Sequence, residues 1–197
     1  MRRHVSSLHP WILILLLASC GTNRNLVPQE PPVDRNQKID RAWALFVAGD
    51  YAEARAIFEE IIDHFPDDAA GHVGRGWCAV ETDSLDLAYT SFQTSLQLAD
   101  DPDGIAGLAV AASALGIDSV AVAAASRVGE DYQFSKIPSL DYRDLVFIRA
   151  LGEFHLRRYV DCYASLRILN PSLQIDLDEY DFREQLFAAL ESIRDQT

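Results

Sequence analysis

A chain of 197 residues is long enough for one domain with a real core, and 49% hydrophobic against 24% charged residues is ordinary globular composition. Asp and Glu number 30 against 17 Lys and Arg, a formal net charge of −13, and no basic cluster interrupts that surplus after the N-terminus. Neutralising phosphates needs clustered cations, so nucleic acid is excluded as a partner, and the acidity reads as a solvated surface.

Met1-Arg2-Arg3-His4 is a basic start, Trp11 to Leu17 is a continuous apolar run, and Ala18 and Ser19 are small residues before Cys20. The run is too short to cross a bilayer, which takes about 20 apolar residues. The pattern reads instead as a secretion signal over residues 1–19. Leu17-Ala18-Ser19-Cys20 resembles the bacterial lipobox. That resemblance implies cleavage before Cys20, acylation of Cys20, and attachment to a membrane through several acyl chains, which together anchor stably. Gly21 stands where an Asp retains enteric lipoproteins in the inner membrane, so the resemblance favours the outer membrane, facing the periplasm. Loss of Arg2 and Arg3 with the signal would deepen the net charge from −13 to −15. Residues 20–33 then form the lipidated Cys and a polar tether with Pro28, Pro31 and Pro32. The stretch from Gly21 to Val33 reaches at most ~40 Å at ~3.3 Å per residue.

From Asp34 onward the apolar spacing is helical, with no strand alternation. Gly49-Asp50-Tyr51 is a turn, followed by Ala54, Phe58, Ile61 and Pro66; the Ala54 and Phe58 pattern recurs at Ala88 and Phe92. Small residues pair at one constant separation: Ala42 with Ala54, Gly76 with Ala88, Ala111 with Ala123, and Ala150 with Cys162. The interval from one pair to the next is looser and is longest before the last pair. This A-x3-F-x2-I-x4-P spacing resembles the second helix of a tetratricopeptide repeat. The resemblance implies an all-α, right-handed solenoid of about four helical hairpins, over residues 34–67, 68–102, 103–129 and 142–171. Residues 172–197 then supply a C-terminal cap, its helix over 178–194. The 49–67 stretch is also similar to the repeat lipoprotein subunit of the outer-membrane β-barrel assembly machinery, although this chain has fewer repeats. Arg41, Arg75 and Arg149 depart from the family by standing where it often has Leu, and Arg127 by replacing a large apolar residue. Residues 129–142 break the period and hold Tyr132, Phe134 and Tyr142, as a longer loop or a partner-binding one.

In such stacks the first helices line a concave groove. The resemblance implies that Ile39, Trp43 and Phe46, Val73, Trp77 and Val80, Leu108, Ala112 and Leu115, and Phe147, Leu151 and Phe154 look into it. Basic and amide residues that capture a peptide carboxylate in some relatives are absent there, so a partner would offer an apolar or aromatic segment. Two alternatives stand: the groove is open to a partner, or the cap helix or residues 129–142 fill it, since a long open apolar groove is a liability.

No nucleophile elbow, phosphate-binding loop or metal-ligand spacing occurs, so neither an enzyme, a cofactor nor a metal is expected. Cys78 and Cys162 fall two repeats apart, too far for a disulfide, and are expected to be buried thiols. The implied function is a lipid-anchored envelope adaptor whose groove holds an envelope protein or peptide segment. The rival is a small-ligand or glycan-binding lipoprotein in which Trp43 and Trp77 stack on sugar rings, although the groove offers few polar groups for that. Cys20→Ala should block both cleavage and anchoring, and mass spectrometry of the parent protein should show an acylated fragment beginning at Cys20. An unmodified mature terminus elsewhere would end the lipoprotein assignment.

Overall fold

The computed structural model describes residues 34–137 and 140–195; the expected signal segment, Cys20 and the tether lie outside the described residues. Four helical hairpins follow one another. They are α1 (Arg35–Ala48) with α2 (Tyr51–His64), α3 (Ala69–Glu81) with α4 (Leu85–Leu98), α5 (Pro102–Ala114) with α6 (Asp118–Ala125), and α7 (Tyr142–His155) with α8 (Tyr159–Leu169). A ninth helix, α9 (Phe182–Arg194), follows.

Every hairpin opens behind an aspartate. Asp34, Asp68 and Asp101 each accept from the backbone N–H three residues on, and Asp141 forms a reciprocal capping box with Asp144. Such a cap satisfies an N-terminal N–H that the helix cannot, and contributes roughly 1 kcal/mol. Part of the acidic surplus is therefore structural. Burial pushes the Asp68 carboxyl upward, but the hydrogen bond from Arg35 and the N–H groups of Gly71 and Ala70 outweigh it and leave the group below its ordinary range.

At each hairpin tip one residue enters the left-handed region: Gly49, Asp83, Gly116 and Arg157, at φ 89°, 54°, 71° and 60°. Glycine does this without a Cβ clash, whereas Asp83 and Arg157 cost about 1 kcal/mol or more each. The first three turns recur at nearly one period, the fourth comes later, and together they correct the register of the third repeat. The pair equivalent to Gly76 and Ala88 is Ala109 and Ala121, both buried, whereas Ala123 is exposed. Small residues crowd both helices of that hairpin, so spacing alone allowed a slip of two positions. The same shift makes Ala125, not Arg127, the equivalent of Phe58 and Phe92; Arg127 is exposed and pairs with Asp100.

Packing between hairpins is uneven. Each helix packs on the next in sequence, and α1, α3, α5, α7 and α9 also touch one another in series. No such contact links α2, α4, α6 and α8 among themselves. The odd helices thus form the tighter layer, so the stack bends with that layer on the concave side. Close approach depends on missing side-chain atoms. The Phe92 ring lies against both Gly76 of its own hairpin and Gly107 of the next, and Phe58 lies likewise against Gly74. A Cβ on Gly76 would come within 2.6 Å of that ring. At the next junction the sizes are exchanged: Ala125 stands in place of Phe92 and Ile148 in place of Gly107, and Ile148 packs against the cluster containing Ala125. Exchanging volumes across a contact preserves density.

Beyond the fourth hairpin, Leu186 and Leu190 of α9 are buried with Ala150, Cys162, Leu166 and Ile175, while its opposite side is charged and exposed. Among the described residues no helix is long and apolar enough to cross a membrane. Gly107→Ala should lower stability by about 1–3 kcal/mol through overpacking against Phe92, overriding a helix-propensity gain of up to ~1 kcal/mol. Chemical denaturation measures this, and a midpoint equal to the parent's would show that the ring can retreat.

Candidate functional site

On the concave face, positions ten, six and three residues before each turn point inward. In the first two hairpins these are Ile39, Trp43 and Phe46, then Val73, Trp77 and Val80; in the fourth they are Phe147, Leu151 and Phe154. With the register corrected, the third hairpin contributes Ala106, Val110 and Ser113. Leu108 and Leu115 are therefore not groove positions. Leu108 occupies the place that Arg41, Arg75 and Arg149 hold in the other hairpins, between the paired helices. There Arg75 Nε donates to Ser91 Oγ at 2.9 Å and Arg149 Nε to Ser165 Oγ at 3.0 Å, so these two arginines clasp their own hairpins. Ser165 in turn donates to buried Glu153 at 2.7 Å. Burial pushes the Glu153 carboxyl above its ordinary range, with Ser165 and Arg149 opposing.

The groove of the first three hairpins is occupied by the chain itself. Phe134, fully buried, stacks on Trp77 with ring centroids 4.6 Å apart and planes 23° from parallel, and meets Trp43 edge-on at 6.0 Å. Two residues before it, Tyr132 donates from its hydroxyl to Asp103 Oδ1 at 3.1 Å. Two residues after it, Lys136 Nζ sits 5.8 Å from the centre of the Trp43 ring. Asp131, Gln133 and Ser135 lie between and beside these anchors and are exposed. Residues 132–134 run extended, with Phe134 N donating to Leu140 O and Tyr142 N to Tyr132 O across an isolated antiparallel bridge between Gln133 and Asp141, and the backbone bends at 135–137. Trp77 Nε1 donates to Asp103 O at 3.2 Å, so its polar atom is satisfied inside. Only 1% of Trp77 is exposed. Phe46 and Val73 are also buried, while Ile39, Trp43 and Val80 are half-buried.

Burial pushes the Asp103 carboxyl above its ordinary range; Asp101 adds to this, and Tyr132 and Lys136 oppose it. The Tyr132 hydroxyl is pushed strongly upward by burial and by Asp103, and so remains a donor. Composition marked residues 129–142 as a break in the repeat, with Tyr132 and Phe134 in it. The roles of Asp103 and Lys136 were missed, although the alternation Tyr-x-Phe-x-Lys in an otherwise helical chain is a readable sign of an extended segment. Tyr142 is instead the first residue of α7.

The other half of the face is more open. Phe147, Leu151 and Phe154 are half-buried against the cluster built on α8 and α9, and Phe187 of α9, 52% exposed, lies 6.0 Å from the Phe154 ring. A separate cavity of about 760 Å³ lies beside Asn170, Gln174 and Gln185, but its Arg143 already donates to Leu169 O at 3.1 Å. Cys78 and Cys162 are buried free thiols, each pushed by burial up to about 12, which leaves them inert. Among the described residues no group of His, Cys, Asp and Glu is arranged to hold a metal ion.

The profile of the tetratricopeptide repeat family matches residues 39–104, which span most of the first two hairpins. Residues 39–104 are thus tetratricopeptide repeats, and the fold of the described body is the solenoid of that class. No curated protein sequence matches the chain. Among solved structures, MamA of strain AMB-1 is similar over 81% of this chain and 89% of its own, at 19% identity and a TM-score of 0.59. YrrB, a TPR protein with an unusual peptide-binding site, is similar over 83% of this chain and 79% of its own, at 13% identity and a TM-score of 0.62. A tetratricopeptide repeat protein from Parabacteroides merdae is similar over 82% of this chain and 60% of its own, at 15% identity and a TM-score of 0.55.

Trp77→Ala should destabilise the fold by about 3–5 kcal/mol, as expected for a buried aromatic, and half-buried Trp43→Ala by less. Thermal unfolding of both variants checks the order; an unchanged transition in Trp77→Ala would mean that the indole does not bear on the core.

Proposed function

We propose that this protein is a lipid-anchored adaptor of the bacterial envelope, tethered through Cys20 to the outer membrane on its periplasmic side. Its concave face holds an envelope protein partner and carries out no chemical step. One observation carries the reading: the groove of odd-numbered helices is aromatic and already engages a non-helical segment of the chain through the side chains of Tyr132, Phe134 and Lys136. Concave aromatic surfaces concentrate binding energy. The likeness to YrrB, described by its peptide-binding site, supports the same use of the fold. The glycan-binding alternative loses ground because Trp77 is covered by Phe134, leaving no pair of open indoles on which a sugar could stack.

In this reading the partner contacts the exposed part of the face, where Leu151, Phe154 and Phe187 lie, before or while it engages the occupied part. A photo-crosslinking residue at position 187 in the full-length, anchored chain should yield a discrete adduct in intact cells. The same residue at exposed Glu59 of α2 should not. Equal adducts from both positions, or none from either, would remove the concave face from consideration.

A further inference from the structure

The segment inside the groove specifies the chemistry that the groove accepts. Resting on the adaptor reading, we propose that the concave face of the first three hairpins recognises a partner segment of the form aromatic–x–aromatic–x–basic, and that Tyr132 to Lys136 is a tethered stand-in which that partner displaces.

Three subsites take alternate residues of the segment: Tyr132 and Phe134 on its extended part, and Lys136 where the backbone bends. Asp103 accepts from a phenol hydroxyl, Trp77 and Trp43 take a ring by stacking and by edge, and the open face of Trp43 takes a cation. A formal charge of −13 on the chain favours a partner segment that ends on a basic residue.

The segment is also built to leave. The turns at Gly116 and Arg157 stand farther apart than those at Gly49, Asp83 and Gly116, so the segment lies in an insertion. The contacts of α6 with α7 and of α5 with α7 belong to the helices and not to the insertion. Backbone pairing of the segment amounts to an isolated bridge rather than a ladder within a sheet. Phe134, Tyr132 and Lys136 meet the groove with a ring, a hydroxyl and an ammonium, a set that a partner segment can also bring. Tethering gives the resident segment an effective concentration in the millimolar range, so it keeps out weak ligands and yields to a stronger or multivalent one.

The probe is a synthetic peptide with the sequence of residues 131–137, Asp-Tyr-Gln-Phe-Ser-Lys-Ile. It is titrated into the full chain with calorimetry and tryptophan fluorescence as readouts. Phe134→Ala should bind it at least tenfold more tightly than the parent, whose groove is occupied. The same peptide with its Phe replaced by Ala should not bind. Because Phe134→Ala removes a buried ring, the double variant Tyr132→Phe, Lys136→Ala is run beside it. That variant keeps the ring, loosens the segment, and should also show a severalfold gain in affinity. Should Phe134→Ala unfold alone, the peptide added in trans should raise its melting temperature. The proposal is overturned if either variant, while folded, ignores the peptide. It is equally overturned if a scrambled peptide binds as well, or if Phe134→Ala disrupts a dimer that exchanges this segment between copies. Any of these results together with an adduct at position 187 would leave the adaptor reading standing without this ligand.

Discussion

The first three hairpins depend on one packing constraint: a phenylalanine ring must lie against helix backbone where no Cβ stands in its way. Phe92 meets Gly76 within its own hairpin and Gly107 in the next, so a single side chain joins two repeats. Close contact at that point lets α3 and α5 touch while α4 and α6 do not. Curvature follows from this asymmetry, and the concave face follows from the curvature. Where the ring is missing, at Ala125, the volume is supplied from the other side by Ile148, and α6 is much shorter than α2 and α4.

A concave aromatic face creates a difficulty of its own. Two indoles in register on adjacent hairpins, left in water, would expose a large apolar patch, and such patches promote nonspecific association. The chain leaves the short α6, turns extended, and places Phe134 between Trp43 and Trp77. Polar groups brought along are satisfied: the Tyr132 hydroxyl by Asp103, and the Trp77 N–H by a backbone carbonyl. Beyond this point Phe147, Leu151 and Phe154 keep partial exposure, and Phe187 extends the apolar strip onto α9. One face therefore has a closed half and an open half, a division suited to a partner that lands first and inserts second.

Acidic residues do two different things here. At Asp34, Asp68, Asp101 and Asp141 they cap the first helix of each hairpin, which explains why acids recur at nearly the repeat period. Asp103, just inside α5, is instead half-buried at the groove and serves as an acceptor for a phenol. Composition counts both alike.

Much of the architecture was legible from the sequence because it rests on local rules. Helical spacing, the G-D-Y turn, the constant pairing of small residues and the apolar stripe of the last helix each follow from contacts within a repeat or between neighbours. The third hairpin was misregistered because α5 and α6 are rich in interchangeable small residues; only the left-handed turn at Gly116 singles out Ala109 and Ala121 as the contact pair. Which groove residues remain exposed was not a local matter at all. Trp43 and Trp77 have the same spacing and residue type whether the groove is empty or filled, and Phe134 reaches Trp77 from beyond the whole third hairpin. Repeat spacing was enough to specify that four hairpins stack and present aromatics along one side. That the chain covers part of that side was settled in three dimensions, because it depends on where an extended, non-repeating segment crosses a curved surface, and no periodicity encodes that path.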